Sequence, residues 1–237
     1  MNPRYPIHDL LTGFPRNIYP SFLDRLKIIF AVMDEKYQAA ADYYGFNCKG
    51  CEDNCCFTRF YHYTLLEYLY ILEGLNTLDG EKRSEIKCKA LDVCRETDRA
   101  DAEGVPVRLM CPLCVDSVCL LYAYRPMICR LHGIPHELQR PGEGLVQASG
   151  CDAFTRQFRG KQHFKFDRTP FYLEMAGLEK ELREAVDMPV KIKMTVAQMI
   201  KHTVIDDDQG GVRVQGSGVR CQVSGFRENK GKENGER

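Results

Sequence analysis

Residues 21–45 read SFLDRLKIIFAVMDEKYQAAADYYG, and residues 46–56, FNCKGCEDNCC, follow directly. In the first stretch the apolar positions Phe22, Leu26, Ile29, Met33, Tyr37, Ala40 and Tyr44 recur every three or four residues, the period of one buried helical face. Ser21 is a natural N-cap, Asp24 stands at the third position where a carboxylate meets the helix dipole favourably, and Gly45 suits a left-handed helix end. The helix so predicted delivers the chain straight into a cysteine cluster. The expected fold class is therefore mainly α: a helical domain with irregular cysteine-rich metal-binding loops and at most a small β-sheet.

The chain on either side fits that frame. Upstream, Pro3, Pro6, Pro15 and Pro20 among aromatics predict an extended N-terminal arm over residues 1–20. Downstream, Thr64-Leu65-Leu66-Glu67 reads as a capping box, and Leu65, Leu69, Leu72 and Leu75 continue a helical stripe toward Gly80. A third helix is predicted from Glu81 to Asp101, ending at Gly104, with Ile86, Ala90, Val93 and Cys94 on one face. Cys94 thus reads as a small buried hydrophobe, and Cys88, on another side, as incidental. Val105 to Leu109 is a short β-like run leading to Cys111, and Leu120-Leu121-Tyr122 a second extended piece.

Thr169 and Pro170 read as an N-cap and first-turn pair, followed by Tyr172, Met175, Leu178, Leu182 and Val186 on one face. Thr195 opens a last helix through Met199, Ile200 and Val204. From Asp206 onward seven glycines and scattered charges predict a disordered tail over 206–237. One helical domain is expected over 21–205, with its metal-binding core at 46–151.

Composition narrows the class of partner. The 33 basic and 33 acidic residues balance, so charge supplies no specific signal for nucleic acid. No apolar run reaches the ~18–20 residues of a spanning helix, so no membrane span is expected. Met1 to Phe14 lacks the basic start and apolar core of a secretory signal, and the expected compartment is the reducing cytoplasm. There the twelve cysteines are expected as free thiols or metal ligands rather than as a disulfide scaffold.

Most of those cysteines fall in two groups: Cys48, Cys51, Cys55 and Cys56, then Cys111, Cys114, Cys119, Cys129 and Cys151. Thiolate is the ligand for zinc and for iron-sulfur clusters, and a CxxC turn aims two sulfurs at one point. Neighbouring Cys55 and Cys56 diverge, which suits two adjacent metals or two corners of a polynuclear cluster. Softness does not separate zinc from iron.

The block CLLYAYRPMICR (119–130), taken with Cys48-x-x-Cys51-x-x-x-Cys55-Cys56, the Thr64 to Glu67 helix opening and the step Cys111-Pro112, resembles the YkgJ-like CxxCxxCC cysteine-cluster family, described as zinc- or iron-chelating domains. The resemblance covers about Phe46 to Cys151. Matched in turn, it implies metal binding at Cys48, Cys51, Cys55, Cys56, Cys111, Cys119, Cys129 and Cys151. The present chain places three residues between Cys51 and Cys55 where two are usual, and adds Cys114 as a further thiol that can replace Cys111 or stand by. Relatives with a stated activity resemble flagellin lysine methylases. No Rossmann-type methyl-donor loop is visible here, nor a GxSxG, P-loop or HExxH pattern, so whether the chain is an enzyme stays open.

Arg125 and Arg130 flank Pro126 and Cys129 and are the candidate cofactor-binding cations, able to offset cluster charge, lower thiol pKa or hold an anionic substrate. The plainer role for Arg125 is hydrogen bonding to loop carbonyls. Tyr122 and Tyr124 are expected to pack beside the site. His132 and His136 offer nitrogen donors, with Pro135 between them working against a regular helical pair, and His62 is equally ambiguous. Three functions remain: an iron-sulfur or iron-ion protein using about eight thiolates, with redox or group-transfer chemistry and a small-molecule or protein partner; a structural zinc domain acting as an interaction module; and a metal buffer or chaperone.

Overall fold

In the computed structural model the described residues are 18–47, 55–158, 160–189, 191–205 and 212–213. The first helix, α1 (Tyr19–Tyr44), starts before the expected Ser21, with Pro20 in its first turn. Proline is at home there because its missing N–H lies among donors that lack a helical partner in any case. Ser21 is inside the helix and donates its hydroxyl to Ile18 O at 3.0 Å. The predicted arm therefore ends earlier than expected, and its residues 1–17 lie outside the described ones. Leu26, Met33, Ala40 and Tyr44 are buried as the period demands, but Leu23, Phe30 and Ala41 share that burial while Phe22, Ile29 and Tyr37 flank it. Gly45, at φ 69°, caps the helix in the left-handed region.

Helix α2 (Leu65–Asn76) is the centre of the molecule: residues 65–71, Gly74 and Leu75 are all buried. It is wrapped by α1, by α6 (Thr169–Ala185) and by a 3-10 turn at Tyr122–Tyr124. Gly74 permits the last of these approaches, since a Cβ there would stand 2.6 Å from Tyr124 Cγ. Helix α3 (Gly80–Glu103) is capped by Asp79 and closed by Gly104 at φ 67°. It packs on α7 (Val196–Lys201), whose N-terminus carries the full capping box between Thr195 and Gln198. Lys87 of α3, buried, donates its ammonium to Ile200 O at 2.9 Å, Lys201 O at 2.7 Å and Thr203 O, thereby satisfying carbonyls at the end of α7. Two shorter helices, α4 (Met127–Leu131) and α5 (Asp152–Gln157), stand at the cysteine loops. One apolar core runs from Leu23 to Ile200 and includes Cys94, as its helical face predicts.

Among the described residues the sheets are three two-stranded antiparallel pairs: β1 (Cys114–Val115) with β2 (Val118–Cys119), β3 (His136–Arg140) with β4 (Gly144–Ala148), and β5 (Val204–Ile205) with β6 (Val212–Arg213). A mainly α fold with small sheets is therefore what forms, but the strands are not those predicted. Residues 105–109 make no strand, and Leu120-Leu121-Tyr122 leads into the 3-10 turn instead. Ordered pairing of Val212–Arg213 also passes the expected start of the tail, whose other residues lie outside the described ones. Among the described residues no helix is long and apolar enough to cross a membrane.

Candidate metal centre

The two cysteine-rich segments meet through the backbone. Cys55 and Cys56 lie on a short 3-10 turn (Cys55–Phe57), and Cys111 N donates to Cys56 O at 2.9 Å. Cys114 N then donates to Cys111 O at 2.9 Å, closing the turn of the second CxxC. The β1–β2 hairpin that follows sets Cys114 directly opposite Cys119. Its two central residues, Asp116 and Ser117, take φ values of 49° and 62°, the left-handed pair that matches the twist of a tight hairpin. Cys129 is supplied from another side by α4, which begins after Pro126.

Glu67 anchors that last element. A capping box would send its carboxylate back to the Thr64 backbone, but the start of α2 is served differently. Thr64 Oγ1 accepts the Glu67 N–H at 3.2 Å, while Glu179 of α6 accepts Leu65 N–H at 2.8 Å and Leu66 N–H at 3.1 Å. The Glu67 side chain instead accepts the Met127 N–H at 2.9 Å and the Thr64 hydroxyl at 2.6 Å. Burial pushes this carboxyl up, yet His62, the Thr64 hydroxyl and the Met127 N–H together hold it below the usual carboxylate range. A buried carboxylate thus fixes the first turn of the helix that carries Cys129.

The thiols act on one another electrostatically. Burial is the largest influence on Cys111, pushed up to about 12, with the charges of Cys119, Cys114 and Cys55 adding to it. Burial likewise raises Cys119, and it raises Cys129 strongly, with Cys111, Cys55, Cys119 and Glu67 adding. Cys55 moves the other way: a hydrogen bond from the Cys56 thiol, helped by the Arg125 guanidinium, lowers it. Cys56 is correspondingly pushed up, by that same bond, by burial and by its charged neighbours. The charges of Cys55, Cys111 and Cys119 thus all act on Cys129, and those of Cys55, Cys111 and Cys114 on Cys56. Metal-free, most of these cysteines are held as neutral thiols; a bound cation reverses that preference, because a coordinating thiol is deprotonated outright. Among the described residues no three His, Cys, Asp or Glu side chains converge into a group ready to hold a metal ion.

Of the ligands expected from the sequence, Cys56 and Cys111 are joined by a backbone bond, Cys119 stands opposite the extra thiol Cys114, Cys55 neighbours Cys56 and Cys129 lies on α4, while Cys48 and Cys51 lie outside the described residues. Cys151 is the N-cap of α5, its sulfur accepting the Phe154 N–H at 3.4 Å. Cys88, expected to be incidental, is disulfide-bonded, whereas the other eight described cysteines form no disulfide.

Arg125 and Arg130 part company. Arg130, 5% exposed, lies with its guanidinium carbon 4.4 Å from the Phe30 ring centre and donates to Arg125 O at 2.8 Å, to Ala123 O and to the Asp34 carboxylate. These contacts occupy it as a buried brace of the 119–130 loop. Arg125 makes the expected carbonyl bond, Nε to Tyr122 O at 2.9 Å, and its charge also lowers the Cys55 and Cys119 thiols against the effect of burial.

The histidines make contacts of their own. The His132 ring packs edge-on to Phe60, its carbonyl accepts the Tyr37 hydroxyl, and His136 lies in β3 with burial lowering it to about 4. His62 is 2% exposed, with Nδ1 3.7 Å from the Glu67 carboxylate, and supports the anchor rather than the sulfurs. Sequence reasoning missed Glu67 and Glu179 as supports of the site. The Thr64 to Glu67 motif marked a helix start, but which carboxylate caps it depends on α6.

Comparison with known proteins finds no family model, no curated protein and no solved structure that matches this chain.

Proposed function

We propose that this chain is a metal-binding cysteine-cluster protein of the cytoplasm, holding iron as an iron-sulfur cluster or as iron ions. The donors are Cys55, Cys56, Cys111, Cys114, Cys119 and Cys129, completed by Cys48 and Cys51. The carrying observation is that two cysteine-bearing segments separated by 54 residues meet where Cys111 N–H bonds to Cys56 O, with burial and neighbouring charge opposing ionisation of Cys56, Cys111, Cys119 and Cys129. Cys111 and Cys119 also pack against the apolar core, but a bound cluster or pair of ions would use all of these donors. An iron centre beside Arg125 suits redox or group-transfer chemistry, and the resemblance to the YkgJ-like family supports the metal assignment.

A second reading, structural zinc, is favoured by the tight hairpin that sets Cys114 opposite Cys119 beside the Cys111 turn. A four-thiolate site would need only one cysteine more. Anaerobic purification followed by measurement of iron, zinc and acid-labile sulfide per chain, with a visible spectrum, separates the two. Comparable iron and sulfide in a brown protein supports the cluster; iron without sulfide supports iron ions; stoichiometric zinc in a colourless protein moves the assignment to zinc. Protein that binds none of these metals would overturn the proposal.

A further inference from the structure

A cleft of about 240 Å³ opens between α1, α2 and the 119–130 loop. Its walls include the rings of Phe30, Tyr70 and Tyr122, and its charged groups are Lys27, Asp34, Arg125 and Arg130. Three of these four are already paired. Arg130 binds Asp34, and Lys27 is held by Glu73 at 2.8 Å and Asp24 at 3.3 Å. Arg125 is different: its Nε is bonded to Tyr122 O, its guanidinium carbon lies 3.5 Å from the Tyr122 ring centre, and among the described residues no carboxylate pairs with it. The stacking and the Nε bond fix the guanidinium and leave its terminal amino groups to donate.

We infer that this cleft is a binding site for a small monocarboxylate with an apolar or aromatic body, held through the terminal amino groups of Arg125. The charge follows from the pairing: one unmatched cation facing a carboxylate-bearing wall favours a monoanion over a phosphate dianion. The apolar body follows from the three rings. The size follows from a volume below the roughly 300–1,000 Å³ of drug-sized sites, which excludes a nucleotide. Because Arg125 and Tyr122 stand on the loop that also carries Cys119 and Cys129, a ligand held there would touch the loop that supplies two of the proposed donors, as a substrate or regulator of the proposed centre. That placement rests on the metal-centre reading, but binding itself does not require the metal.

The test is calorimetric or NMR titration of the full chain, as purified, with benzoate, benzyl alcohol and inorganic phosphate. Benzoate is expected to bind, benzyl alcohol not, and phosphate more weakly than benzoate. Arg125→Gln is expected to weaken benzoate by about tenfold or more, while Arg140→Gln, an exposed arginine of β3 paired with Glu143, leaves it unchanged. Arg125→Lys, which keeps charge but loses the planar fork, is expected to fall between. Metal content and melting curve, measured on each variant, keep the two proposals separate. Benzoate binding to a protein that takes up no metal sustains this site and removes the metal centre; a metal-loaded protein that ignores benzoate does the reverse. Equal binding by Arg125→Gln, tighter binding of phosphate, or no binding of benzoate overturns the inference.

Discussion

Replacing Glu67 by glutamine keeps the shape of the side chain and removes its charge and one of its two acceptor oxygens. In the native protein those oxygens take the Met127 N–H at 2.9 Å and the Thr64 hydroxyl at 2.6 Å, in a position 5% exposed. Whichever way the new amide is turned, one of these donors meets an NH2 group. A buried donor left unmatched costs about 1–3 kcal/mol, and the surviving bond loses its charged acceptor. We expect Glu67→Gln to lower the unfolding free energy by about 2–3 kcal/mol at pH 7. The sign of the pH dependence follows from the depressed carboxyl. Its stabilisation is fully present above the ordinary carboxylate value, about 4.3, and is lost as pH falls through the lower folded value. The gap between wild type and variant is therefore widest near neutral pH and narrows on acidification below about pH 4. Urea unfolding of both proteins in the same metal-loaded state, from pH 7 downward, measures it. Equal midpoints at pH 7, or a gap that grows in acid, would refute the role given to Glu67.

The remaining expectations concern the thiols and the packing around them. Cys55→Ser and Cys129→Ser should each lose bound metal and melt earlier, whereas Cys151→Ser should keep the metal content of the wild type, since serine serves as well at an N-cap; metal analysis with melting curves decides, and metal loss in Cys151→Ser alone would restore that residue to the ligand set. Gly74→Ala should destabilise by about 1–2 kcal/mol despite the better helix propensity of alanine, because its methyl would meet Tyr124 at 2.6 Å; an unchanged denaturant midpoint would show that the Tyr122–Tyr124 turn yields freely. Lys87→Met should cost about 2–3 kcal/mol by leaving the carbonyls of Ile200, Lys201 and Thr203 without their shared donor, with lost hydrogen-exchange protection concentrated in α7; protection lost evenly across the molecule would argue against a local cap.

Local chemistry explains which features were legible beforehand. Gly45, Gly104 and Thr195 end or begin helices through bonds to residues within about one turn, so their roles can be read from a few neighbouring letters. The helical face around Leu26 and Met33 was readable for the same reason, though its centre was displaced toward Leu23 and Phe30, the latter packing edge-on to Tyr70 of α2 with the Arg130 guanidinium over its ring. The hairpins were not anticipated. In β1–β2 the turn rests on left-handed Asp116 and Ser117 without a glycine, and in β3–β4 it rests on Gly142 and Gly144, both at positive φ.

The order of residues alone sets the helical class, most helix ends and the roster of cysteines on offer as donors, because these follow from residue type and short-range period. It took the packed fold to bond the Cys111 N–H to Cys56 O, to set Cys114 opposite Cys119, to make Cys151 the cap of a helix, and to spend Arg130 as a brace while Arg125 faces a cleft. Several of those outcomes depend on partners far away in sequence: Asp34 for Arg130 and Cys56 for Cys111, as the start of α2 depends on Glu179 and Glu67 on Met127. A cap or a stripe is set by neighbours a few residues away, but the destination of a buried charge is set by whichever donor the packed fold brings to it.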